Sequence, residues 1–162
     1  MDDIDRRILD MLQENARISN AEIARQVGMV PSGVLDRIRR LEERGLIEGY
    51  RAKINAKQLG LGLLAFIFVV TDELPGETPS AEALAEIPEV LEVHHIAGED
   101  CYVAKVRVAD TEALAALIKG KIGSIPSVRN TRTTIVLETL KETARLPIGS
   151  QQVANGKLKI AW

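Results

Sequence analysis

Ser19-Asn20-Ala21-Glu22-Ile23-Ala24-Arg25-Gln26-Val27-Gly28-Met29-Val30-Pro31-Ser32-Gly33-Val34-Leu35-Asp36-Arg37-Ile38-Arg39-Arg40-Leu41 decides how the first third of this chain folds. Ser19 and Glu22 stand at the spacing of a capping box, in which each side chain satisfies the other residue's orphan amide. Ile23, Ala24 and Val27 then share one helical face, and Gly28 supplies the stop. The next helix starts at Pro31-Ser32, where Pro31 suits a first helical position and Ser32 a cap; the sequence allows either. Val34, Ile38 and Leu41, spaced four and three apart, form its inner face, and Gly45 closes it. Upstream, Ile4, Ile8, Leu9 and Leu12 make the stripe of a first helix. Asp2 caps that helix, and Asp3 and Asp5 suit the positive end of its dipole. Three short helices with a tight Gly-containing turn before the last describe a helix-turn-helix.

Beyond Gly45 the period changes. Leu46 to Ile54 has a strand-like pattern, as in a winged variant, and Asn55 to Gly62 is polar and then Gly-rich, which suits a linker. Leu61 to Thr71 is a continuous apolar strand, implying burial on both faces. Thr78-Pro79 opens a helix through Ala81, Leu84, Ala85 and Ile87 that Pro88 stops. Val90–Ile96 and Tyr102–Val108 form a hairpin around Gly98-Glu99-Asp100-Cys101. Asp110 caps a helix bearing Leu114, Leu117, Ile118 and Ile122, and Thr131–Leu140 is a last strand. Strand, helix, strand, strand, helix, strand is a ferredoxin-like order. The expected architecture is α+β: a winged helix-turn-helix over 1–54, a linker over 55–62, a ferredoxin-like domain over 63–145 and a loose tail over 146–162. Within that tail, Lys157 to Trp162 could add a short strand.

Composition limits the function. The 162 residues are 46% hydrophobic and 27% charged, which is globular and excludes low-complexity classes. A net charge of −2 gives no global attraction to nucleic acid, so a contact must come from a local patch. Residues 1–60 hold 11 basic against 10 acidic side chains, and the remainder 10 against 13. The apolar run Leu61–Val70 is far short of the roughly 20 residues a membrane-spanning helix needs. An acidic Met1-Asp2-Asp3-Ile4-Asp5 opening is unlike a signal peptide, and a lone Cys101 suits a reducing cytosol. A cytoplasmic protein with no membrane contact is expected. Five aromatics, Tyr50, Phe66, Phe68, Tyr102 and Trp162, are too few for a platform that stacks single-stranded nucleic acid.

This order of elements, with Asp5-Arg6-Arg7-Ile8-Leu9, Val34 through Glu42, Gly45 through Tyr50, Ile96 through Tyr102, and Ile125-Pro126-Ser127-Val128 through Leu137, resembles the Lrp/AsnC (feast/famine) family of transcriptional regulators. The likeness spans roughly Met1 to Leu146. It implies a sequence-specific regulator of double-stranded DNA whose second domain, of the RAM type, binds an amino acid or related small molecule. It also implies a homodimer assembling to tetramers or octamers, no resident cofactor and no catalysis.

A recognition helix must present its outer face to a major groove. With Val34, Ile38 and Leu41 inward, the outward residues are Ser32, Gly33, Asp36, Arg37, Arg39 and Arg40. Arginine grips a guanine edge or a phosphate bidentately. Ser32 donates to a phosphate, Gly33 admits close backbone approach, and Asp36 accepts from a cytosine amine or holds Arg39 or Arg40. Asn20, with Arg17 and Ser19 at the start of the second helix, stands where amides meet phosphate. The bland counterpart is an ordinary solvated face with paired charges.

For the effector, the resemblance points to Gly98, Glu99, Asp100, Cys101 and Tyr102, with Thr131 and Thr133 opposite. Gly98 lets amides meet a carboxylate, Asp100 takes an ammonium, and threonine hydroxyls serve either. Many family members carry an aromatic followed by Asp where this chain has Asp100-Cys101, which shifts the acid by one residue. His94 and His95 are adjacent in a strand and point to opposite faces, so they do not chelate one ion together. Siroheme decarboxylases resemble the same two-part architecture and supply the alternative, an enzyme. They carry histidines and arginines around a tetrapyrrole pocket, and Leu61 to Phe66 has neither.

Overall fold

The computed structural model describes residues 1–74, 77–98 and 101–148. Two compact units divide the chain: one joins Met1–Lys53 with the chain from Glu142 onward, and the other is Ile54–Lys141. Glu99, Asp100 and the segment Lys157 to Trp162, singled out above, lie outside the described residues.

In the first unit α1 is Asp3–Glu14, α2 Asn20–Val27 and α3 Pro31–Glu43. Their core is Ile8, Leu9, Ile23, Ala24, Val34, Ile38 and Leu41. Ile8, Ile23 and Val34 are fully buried, each stabilising by about 1.5–3 kcal/mol. Pro31 takes the first helical position after Val30, which settles the open choice at the start of α3. Gly28 ends α2 at φ 73°, a left-handed conformation that favours glycine.

Three local expectations need correction. Ser19 Oγ accepts from the Glu22 amide at 3.1 Å, but the Glu22 carboxylate turns to Arg25 at 2.6 Å and Gln26 at 2.7 Å, so the box is half formed. A guanidinium one turn along outcompetes a neutral amide for a carboxylate. The complete capping box is at α1, where Asp2 accepts from the Asp5 amide at 2.8 Å and Asp5 accepts from the Asp2 amide at 3.1 Å. Residues 46–54 form no strand. The amides of Leu46 and Ile47 turn back to the Leu41 carbonyl, and no strand among the described residues lies alongside to pair with the rest. Finally, 145–148 is no loose tail. The Gln13 side-chain amide brackets the Leu146 backbone with bonds of 3.1 and 2.6 Å, Arg145 lies 3.6 Å from Asp10, and Ile148 packs on the helical core.

The second unit opens with a 3₁₀ turn, Ala56–Leu59, and continues β1 Leu63–Thr71, α4 Pro79–Ala85, β2 Val90–His95, β3 Tyr102–Val108, α5 Thr111–Ala116 and β4 Val128–Ile135. A π-helical stretch, Leu117–Ile122, extends α5. The sheet order is β2-β3-β1-β4, with every neighbouring pair antiparallel. Ala65, Ile67, Val69, Ala104 and Val106 are fully buried in one core with Leu84, Leu114 and Ile122 of the helical segments. Phe66, Phe68 and Val70, on the opposite face of β1, are only half-buried. The continuous apolar run therefore buries one face fully, while on the other Leu64 is buried and the remaining side chains are only partly covered. β4 begins three residues earlier than expected, because Val128 still pairs with Thr71 beyond a bulge. It ends at Ile135, opposite Ala65; the Val136 amide still donates to the Leu64 carbonyl at 2.9 Å, and past it Leu137 and Leu140 are exposed.

Candidate functional site

The outer surface of α3 follows from its buried stripe. At 100° per residue, Val34, Ile38 and Leu41 face the core, and Ser32, Asp36, Arg39 and Glu43 point directly away. All four are exposed. Gly33, Arg37, Arg40 and Arg44 occupy one flank; Leu35 and Glu42 occupy the other, where the Tyr50 hydroxyl donates to Glu42 at 3.0 Å. A methyl group on Gly33 would meet the terminal methyl of Met29 at 3.0 Å, a flexible neighbour that would have to shift slightly.

Arginines on this helix divide by partner. Arg39 is exposed and pairs with no carboxylate among the described residues; Arg40 rests its Nε 3.3 Å from the Asp36 carbonyl. Arg37 is engaged inside the protein. Its Nη1 donates to both Asp2 and Asp5 at 2.7 Å, and only a quarter of its side chain is accessible. The Asp5 amide, and then Arg37, hold the Asp2 carboxyl below its ordinary range. Asn20 is half-buried in the first turn of α2, beside a Ser19 hydroxyl already bonded to Glu22.

In the sheet unit, Tyr102, Val69 and Thr131 form one cross-strand row, and Ala104, Ile67 and Thr133 the next. Cross-strand partners share a face, so Tyr102, Thr131 and Thr133 are on the helix-covered side, with β1 between them. Two strand spacings separate Tyr102 from Thr131, about 10 Å. Gly98 adopts φ 143° with open space around it, which a side chain would strain. Cys101 extends the β3 ladder, its amide donating to Val69 at 3.0 Å, and its thiol lies 3.8 Å from the Thr71 carbonyl. Tyr102 is 2% exposed and stacks on His95 with ring centres 5.0 Å apart.

Sequence reasoning missed what holds Tyr102. Its hydroxyl donates to Glu73 at 3.1 Å, and Glu73 also accepts from Thr71 at 3.3 Å, from the Ser80 amide at 2.5 Å and from Ser127 at 3.5 Å. Burial works against the charged form of Glu73, but these donors outweigh it and its pKa is lowered. Ser80 and Ser127 each follow a proline, where a serine reads as a cap or a turn residue, so no local signal ties them to Glu73.

The sequence profile of the Lrp/AsnC ligand binding domain matches residues 64–146, and that of a winged helix-turn-helix DNA-binding domain matches residues 1–48. The leucine-responsive regulatory protein of Escherichia coli K12 is 38% identical over 152 residues, covering 91% of this chain and 92% of its own. A transcriptional regulator of Neisseria meningitidis, solved in complex with L-methionine, superposes with a TM-score of 0.84 at 30% identity, over 92% of this chain and 97% of that one. A feast or famine regulatory protein of M. tuberculosis, also complexed with L-methionine, gives 0.83 at 36% identity, over 90% and 97%. With both halves matched in order, the chain belongs to the Lrp/AsnC family of transcriptional regulators, its helical unit the DNA-binding part and its sheet unit the ligand-binding part.

Proposed function

We propose that α3 enters the DNA major groove with Ser32, Asp36 and Arg39 toward the bases and Arg40 toward the backbone, while Gly33 keeps the turn close and Asn20 meets a phosphate at the start of α2. The observation that carries this reading is Arg39, an exposed guanidinium on the outermost stripe of α3 with no carboxylate partner among the described residues. Arg39 suits a guanine edge and Asp36 a cytosine amine.

The second unit senses an amino acid or a close relative, as supported by the two methionine-bound neighbours and the leucine-responsive relatives. Gly98, Glu99, Asp100 and Cys101 offer amides and carboxylates at the hairpin, and Thr131 and Thr133 offer hydroxyls on β4. Tyr102, with its hydroxyl held by Glu73, shapes the hairpin base. The half-buried face of Phe66, Phe68 and Val70 pairs with a second copy, giving a homodimer that builds tetramers or octamers. No helix among the described residues is long and apolar enough to cross a membrane. The protein acts in the cytoplasm as a regulator rather than an enzyme, with an effector and no resident cofactor.

The test is DNA binding to the region upstream of the protein's own gene, with each of the twenty amino acids added in turn. Binding shifted by one of them supports the sensor and names its ligand. Binding that none of them moves contradicts the amino-acid sensor.

A further inference from the structure

We propose that the flank of α3 facing the N-terminus of α1 is a DNA-phosphate clamp, in which Arg40 and Arg44 hold backbone phosphates and Arg37 is a positioning residue that holds Asp2 and Asp5 and offsets part of their charge. The inference rests on the DNA-binding reading above. Arg44 lies outside the contact set given there, and Arg37, which the sequence places among the DNA contacts, becomes a support.

Arg37, Arg40, Leu41 and Arg44 line one cleft together with Asp5 of α1. Their spacing of three, then four, stacks the arginines along one side of the helix. Asp5 is fixed there by the α1 capping box, so its carboxylate is part of the cleft whether or not DNA is present. A bare carboxylate beside a phosphate is repulsive even in bulk water. Arg37 offsets that repulsion in part by donating to Asp5 and Asp2 at 2.7 Å, one positive charge against two negative ones. Its guanidinium is thereby committed, and the net positive charge of the cleft comes from Arg40 and Arg44. Both are exposed, and neither pairs with a carboxylate among the described residues. A phosphodiester matches them: it carries one negative charge and presents two free oxygens to a guanidinium fork. The clamp reads no sequence, and it leaves the outermost stripe of Ser32, Asp36 and Arg39 free to read bases.

Fluorescence anisotropy on two duplexes, the region upstream of the protein's own gene and a scrambled duplex of equal length, tests this over a salt series. R40Q and R44Q are expected to weaken both duplexes by the same factor and to make the salt dependence shallower by about one phosphate each. R40K and R44K keep the charge and should keep the wild-type slope. R37Q is expected to weaken binding in the wild-type background and to have little further effect in D2N/D5N, where asparagine preserves the caps and no carboxylate needs neutralising. Circular dichroism melting confirms that each variant is folded. R44Q with wild-type affinity and slope would overturn the clamp. R37Q as damaging in D2N/D5N as in wild type would show that Arg37 touches DNA itself and overturn its positioning role. Failure of the wild type to bind either duplex would overturn the DNA-binding reading instead.

Discussion

Glu73 gathers donors from four separate places in the chain: Thr71 at the end of β1, Ser80 in the first turn of α4, Tyr102 at the start of β3, and Ser127 before β4. A carboxylate bonded in this way favours its ionised form, so its folded pKa lies below its unfolded value. Stability from that depression is present above the unfolded pKa and fades as pH falls through the folded one. Thermal melts below pH 4.5 should therefore show a progressive fall in Tm, and Glu73→Gln should start lower at neutral pH and lose less on acidification. Tyr102→Phe should cost about 1 kcal/mol, since it removes one donor to a half-buried charge and leaves the ring in place. On α3, Arg39→Gln should leave binding to scrambled DNA nearly unchanged and reduce the preference for the operator by about 1–3 kcal/mol, measured as a ratio of dissociation constants. At this scale the sequence reveals residue types but not partners. Arg37 sits on a flank of α3, and its pairing with Asp2 and Asp5, 35 and 32 residues away in sequence, depends on how α1 and α3 come together.

β1 is the element on which the sheet unit depends, since it pairs with both β3 and β4 and carries the fully buried Ala65, Ile67 and Val69. Ile67→Ala should cost about 2–5 kcal/mol in chemical denaturation, because closely packed neighbours on both faces of the helix-covered core have little room to close the cavity. Phe68 is on the other face, with the Arg132 guanidinium centred 4.1 Å from its ring. Phe68→Glu should leave the monomer folded and shift the mass measured by light scattering toward a single chain. The elements themselves were largely legible. Capping residues, proline and glycine stops and the change of period between the two halves locate all five α-helices and all four strands of the described residues. The errors fall where pairing decides. Leu46 to Ile54 has the alternation of a strand but no neighbouring strand among the described residues to bond with, and β4 gives way soon after Ile135, leaving Leu137 and Leu140 exposed whatever the apolar pattern of Val136 to Leu140.

At the scale of the molecule, the chain joins two units with separate cores and gives each a distinct chemistry: arginines on an exposed helix in one, a hairpin and a polar knot in the other. A net charge of −2 hides this division, and the proposed DNA contact rests on the local stripe of arginines on α3. The return of 145–148 to α1 was illegible, because Gln13 and Leu146 are 133 residues apart and neither lies in a motif. Likewise, the run Gly98-Glu99-Asp100-Cys101 supplies polar groups for the proposed ligand contact, and residue order alone names no ligand. The central claim is that this is a DNA-binding regulator governed by a small molecule. Its most direct test is titration of the upstream duplex at several salt concentrations, with and without L-leucine or L-methionine. The account predicts specific binding whose log affinity falls linearly and steeply with log salt, and whose midpoint moves with at least one of the two amino acids. Absence of binding at low salt would contradict it.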